Sequence, residues 1–114
     1  MVTKQEFDLA AKTVVANFGQ YLPKMISYKS YIQKAVLNTA TPKELTDVRD
    51  SKINMGMIDK LCKLAKKEWQ LSRDANSLYC AAMSVGTIIK EYDWGSYYIS
   101  GNGLWEIGQR IQNA

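Results

Sequence analysis

A chain of 114 residues has the length of one domain, and 46% apolar against 23% charged residues is the balance of a globular protein, which argues against a wholly disordered chain. The net charge of +4 and a pI of about 9.1 suit an anionic partner, and equally suit plain solubility, since charge speaks to association and not to fold. Histidine is absent, which removes His-based triads, the usual proton shuttle and most zinc sites.

The first helix starts at Thr3, because Thr3-x-x-Glu6 has the form of a capping box. Phe7, Ala11, Val14 and Phe18 follow at helical spacing as a buried stripe. Gly19 is expected to stop this helix and "QYLP" to form a turn, with Pro23 suiting the first turn of the next. Met25, Tyr28, Ile32, Ala35 and Val36 then make an inner face, with Tyr31 off it. Thr41-Pro42-Lys43-Glu44 is the clearest local signal: a hydroxyl cap, a proline at the first helical position and a capping-box glutamate. It predicts a short helix through about Val48 that buries Leu45 and Val48.

Asp50 or Ser51 is expected to cap a long helix over roughly 52–72, whose apolar side is Ile58, Leu61, Leu64, Ala65 and Leu71. Asp74 caps a fifth helix, about 75–92, in which Leu78, Ala82, Val85, Ile89 and Tyr92 recur at helical spacing. It is apolar almost all round, so it is expected at the centre; Ala82 and Gly86, like Ser77 and Ala81, would let another helix approach closely. Its uncharged run of fifteen residues, 75–89, is short of the roughly 20 that span a bilayer. After Asp93 the pattern breaks: "YYIS" has an extended character, "GNG" signals a turn, and a last helix over about 103–112 turns Leu104, Ile107 and Ile111 inward. The expectation is an all-α fold: one compact domain over 1–114, five to six helices, and an aromatic, glycine-rich irregular segment near the C-terminus.

Several features carry candidate chemistry. Lys60, Lys63 and Lys67 fall on one helix face with Lys66 beside them, and Arg73 extends the patch; such a stripe could neutralise phosphates. The two helices around Arg49–Ser51 invite a helix-turn-helix reading. That turn lacks the usual glycine, and Met55 and Gly56 bring no hydrogen bonds where bases would be read. Gly101-x-Gly103 resembles a phosphate loop only weakly, because too few residues follow for a βαβ unit. Cys62 and Cys80 lack CxxC spacing and read as reduced, buried hydrophobes. The acid pairs Asp47/Asp50 and Glu91/Asp93 show no sign of acid–base tuning.

The last is the aromatic segment. Trp94, Tyr97, Tyr98 and Trp105 either plug the core or anchor a partner, since Tyr and Trp give large rigid contact area. The preferred reading is a non-catalytic binding protein, a small inhibitor or adaptor of the phage or mobile-element type, acting through that segment with charge from the lysine face. The alternatives are nucleic-acid binding through Lys60–Lys67 and a structural homo-oligomer pairing through Ala82/Gly86. No metal, cofactor, small-molecule substrate or membrane partner is expected. The N-terminus "MVTKQEFDLAAK" has charges inside its first apolar run and does not read as a signal peptide, so the expected location is the cytoplasm.

Overall fold

The computed structural model describes residues 1–94 and 102–114. Thr3 caps the first helix as its spacing predicts, its hydroxyl accepting the Glu6 N–H at 3.2 Å. Helix α1 runs Lys4–Ala16 and buries Phe7, Ala10 and Val14. It ends two residues before Gly19, at Asn17, whose backbone N–H and side-chain amide both donate to the Thr13 carbonyl at 3.0 Å. Helix α2, Phe18–Thr39, therefore includes both Gly19 and Pro23, and the expected "QYLP" turn is helical. Pro23 withholds the N–H that Gly19 would have received. Gly19 is exposed, which leaves its carbonyl to water. The stripe Tyr28, Ile32 and Val36 is buried as predicted, but Phe18 stands 51% exposed, because it opens α2 and does not close α1.

The capping box at Thr41 is complete: Thr41 Oγ1 accepts the Glu44 N–H at 3.2 Å and Glu44 Oε1 accepts the Thr41 N–H at 2.9 Å. Helix α3, Pro42–Arg49, nevertheless turns a different face inward from the one its apolar residues suggest. Leu45 is exposed and Val48 only partly covered, while Glu44 and Asp47 are buried. Asp50 ends α3 and does not cap the next helix. Ser51 follows in the left-handed region (φ 55°), with Ser51 N–H donating to Val48 and Lys52 N–H to Asp47. That pair of bonds is a Schellman motif, with a serine where glycine usually stands.

Asn54 caps helix α4, Met55–Trp69, by accepting the Met57 N–H at 3.1 Å. The helix is shorter than expected at both ends, and Leu71, assigned to its apolar side, lies beyond it at 82% exposure. Ile58, Leu61 and Ala65 are buried, joined by Met57, Cys62 and Trp69. Asp74 caps helix α5, Ala75–Glu91, accepting the Ser77 N–H at 2.6 Å. Ten of its 17 residues are buried, and it packs against α1, α2, α4 and the last helix, α6, Gly103–Asn113. It is the central helix that its all-round apolar character predicts. Gly86 meets α6 closely: a Cβ there would lie 3.4 Å from Leu104 Cδ2. Gly86 thus faces Leu104 and Ile107 of α6, and Ala82 is fully buried within the chain.

α5 ends in a second Schellman motif, with Asp93 left-handed (φ 60°), Asp93 N–H donating to Lys90 and Trp94 N–H to Ile89. This turn folds Trp94 back onto the bundle, where it is fully buried beside Tyr92, ring centroids 5.3 Å apart. At the other end, Gln112 accepts the Val2 N–H at 2.9 Å and pins the N-terminal strand of backbone to α6. The fold is all-helical among the described residues, six helices around one hydrophobic core. The expected extended character of "YYIS" and the Gly101 turn lie outside the described residues.

A non-glycine residue in the left-handed region carries a penalty of roughly 1–2 kcal/mol, partly offset in a glycine variant by unfolded-state entropy. Ser51→Gly is expected to raise stability by about 0.5–1 kcal/mol, read as a higher urea midpoint at unchanged slope.

Candidate protein-docking surface

Lys60, the first member of the lysine face, bridges α4 to α3, with Nζ 2.6 Å from Glu44 Oε1 and 2.9 Å from the Thr39 carbonyl. The same region holds Asp47, which accepts from Lys43 at 3.0 Å and from the side-chain amide of Asn54. Gly56 belongs to this arrangement: a Cβ there would sit 3.2 Å from Asn54 Oδ1 and 3.4 Å from Glu44 Oε2. The hydrogen bond from Lys60 holds the Glu44 carboxyl below the ordinary carboxylate range, and that from Asn54 does the same for Asp47. These carboxylates dock α3; they are not poised for proton transfer.

Of the remaining basic residues, Lys66 donates to the Ala114 carbonyl at 2.7 Å, and Lys63, Lys67 and Arg73 are exposed. Arg73 lies beyond the end of α4 in the left-handed region (φ 58°). Two members of the basic set, Lys60 and Lys66, thus make bonds within the chain.

The aromatic residues are also divided. Trp94 is fully buried and, as it stands, offers no surface to a partner. Its indole N–H and the Tyr92 hydroxyl find no hydrogen-bond partner among the described residues. Trp105 is partly buried, its ring 5.3 Å from Phe7 and its face 5.9 Å from the Lys4 ammonium, within cation–π reach. Phe7 in turn touches Tyr79 at 5.4 Å, so Trp105 covers the seam between α1 and α5. Tyr97 and Tyr98 lie outside the described residues.

Apolar surface is exposed instead along α2. Phe18, Leu22 and Ile26 recur every four residues and are 51%, 38% and 56% exposed. With Met25 they form one wall of a groove of about 210 Å³ whose other wall is Met83, Ser84 and Thr87 of α5. The groove exists because small residues of α5 hold α2 close: Ser84 Oγ donates to the Cys80 carbonyl at 2.8 Å with the Met25 carbonyl 3.2 Å away, and Lys24 donates to Ser77 Oγ at 3.1 Å. Lys29 closes one end through an ion pair with Glu91, which also accepts from Gln33. The spacing that marks this stripe is present in the sequence. It is hidden by the helix boundary, because ending the first helix at Gly19 assigns Phe18 to α1 and Leu22 to a turn.

Both thiols are buried and free. Burial pushes Cys62 up to about 12 and Cys80 up to about 11, so neither is a nucleophile at neutral pH. Among the described residues no three His, Cys, Asp or Glu side chains gather to hold a metal ion, and no helix is long and apolar enough to cross a membrane.

Two outcomes follow from this chemistry. Thiol labelling of the native protein should be slow and should accelerate at least tenfold in denaturant, roughly the effect of opening a buried site. Acid should weaken the α3 anchor with a defined sign. Glu44 and Asp47 have folded values below their ordinary 4.5 and 3.8, so their stabilisation is present above those values and is lost as pH falls through the lower folded ones. The variant Glu44→Gln/Asp47→Asn should melt lower than wild type at pH 7 and lose less of its midpoint between about pH 5 and pH 2. Comparison with protein-family models, with curated proteins and with solved structures yields no match, so the functional reading rests on this geometry.

Proposed function

We propose that this protein is a non-catalytic binding module that docks another protein on the α2–α5 groove, in the manner of a small inhibitor or adaptor. The observation that carries this reading is the exposed stripe Phe18, Leu22 and Ile26 beside the groove. Three large apolar side chains in line, walled by two methionines, form the kind of contiguous patch that marks an interaction site, whereas single exposed apolar residues need no explanation. The methionines Met25 and Met83 add adaptable, polarizable surface. Catalysis finds little support: the thiols are held protonated by burial and the buried carboxylates are engaged in holding α3.

Nucleic-acid binding through the lysine face is the second reading; Lys60 is paired with Glu44 there, while Lys63, Lys67 and Arg73 are exposed. A cytoplasmic site of action is part of the proposal, as is a partner that covers the groove completely enough to exclude water from Leu22.

The test replaces wall residues that support nothing inside the fold. Leu22→Lys and Ile26→Lys should leave the unfolding free energy within about 0.5 kcal/mol of wild type, as surface changes do. Each should weaken partner recovery in a quantitative pull-down from the native cell at least tenfold, the loss of a central interface residue being about 1–2 kcal/mol or more. Undiminished recovery by both variants would remove the groove from the account.

A further inference from the structure

We infer that α3 is a detachable strap, which opens as a unit while the other helices stay folded, and that the bond from Lys60 to Glu44 is its latch. The observation that carries this is what holds the helix down. Among the described residues, every other helix sends buried apolar side chains into the core, whereas the buried residues of α3 are Glu44 and Asp47. Leu45 is exposed and Val48 only partly covered. The bonds that tie α3 to its neighbours are polar. Lys60 of α4 donates to Glu44 at 2.6 Å and to the Thr39 carbonyl of α2 at 2.9 Å, and Asn54, the cap of α4, donates to Asp47.

Such a clasp differs from apolar burial in what its opening costs. Moving a leucine or isoleucine from core to water forfeits its whole transfer free energy. Glu44, Asp47 and Lys60 instead recover hydration when they part, which offsets the attraction lost. The chain on either side of α3 permits the motion. Thr39 ends α2, Ala40 is extended (φ −68°, ψ 139°), and residues 50–54 carry no helix before Met55 opens α4. Once detached, the eight residues of α3 are too few to stay helical, since isolated helices below roughly 12–15 residues are marginal in water. Release and melting of α3 are thus one event.

Opening changes what the surface offers. Lys63 and Lys67 follow Lys60 at i+3 and i+7 on α4, and the docked strap engages Lys60 with a carboxylate. With α3 released, the Lys60 ammonium is available to an anion, and any anion that takes it competes with Glu44. A ligand that engages Lys60 in this way shifts the strap toward the open form.

The experiment is native-state amide hydrogen exchange of the full chain across low denaturant, read at residues 45–50 of α3 and 78–89 of α5. Corrected for intrinsic rates, the α3 amides should exchange at least roughly a hundredfold faster than those of α5, as one group with a shared, shallow but finite denaturant slope. Ile111→Val, a conservative change at a fully buried position of α6, should speed the α5 amides about fivefold and leave those of α3 unchanged, because the bundle around Ile111 stays folded in the open form. Lys60→Met should speed the α3 amides about tenfold, because it leaves the buried Glu44 carboxylate without its cation. Exchange of α3 at the α5 rate, or α3 amides that accelerate with Ile111→Val, means that α3 opens only with the whole chain and overturns the inference. Rates that differ residue by residue with no denaturant slope mark fraying and overturn it as well. An unchanged α3 rate in Lys60→Met overturns the latch.

Discussion

The burial of α5 on every side is the constraint on which the rest depends. A helix with Leu78, Ala81, Ala82, Val85, Ile88 and Ile89 all at or near zero exposure needs covering from every direction, and α1, α2, α4 and α6 supply it. The small residues at Ser77, Ala81, Ser84 and Gly86 set how near those neighbours come. Where α2 crosses, the buried stripe Tyr28, Ile32 and Val36 is enough to hold it. The stripe through Phe18, Leu22 and Ile26 then has no core to enter. A helix with apolar residues on both its inner face and its flank, packed against α4 and α5 along the first, leaves the second as surface. That is the physical origin of the groove.

The parts of this fold that were legible in the sequence are those written within a few residues. Thr3, Thr41 and Asp74 cap helices through bonds to amides three residues on, and each did so as its pattern predicted. The centrality of α5 was legible because its composition leaves no polar face. The inward turn of Glu44 and Asp47 was not, since periodicity alone places the apolar Leu45 and Val48 inside. Their burial is decided by Lys60 and Asn54, which lie 16 and 7 residues along the chain. The same long-range bond pairs Lys60 with Glu44. Trp94 was ambiguous because the turn that buries it has aspartate where glycine would have announced it. The α2 boundary failed on propensity: Gly19 and Pro23 both argue for a break, and the tertiary burial of the rest of the helix outweighs them.

Polar and apolar surfaces thus divide the work of this small chain. Its most buried charged groups, Glu44 and Asp47, are spent on holding α3 to α4. Its thiols fill space. Its aromatic residues Phe7, Tyr79, Trp105, Tyr92 and Trp94 seal the bundle ends and seams. Among what is left exposed is an apolar stripe on a helix whose only charges are lysines.

Amide hydrogen exchange, with and without the partner recovered from the native cell, tests this most directly. The account predicts that side-by-side spectra show new protection concentrated in residues 18–29 and 83–90, with the amides of residues 60–73 unchanged. Protection gathered instead over Lys63, Lys67 and Arg73, with the α2–α5 edge exchanging as in the free protein, would contradict it.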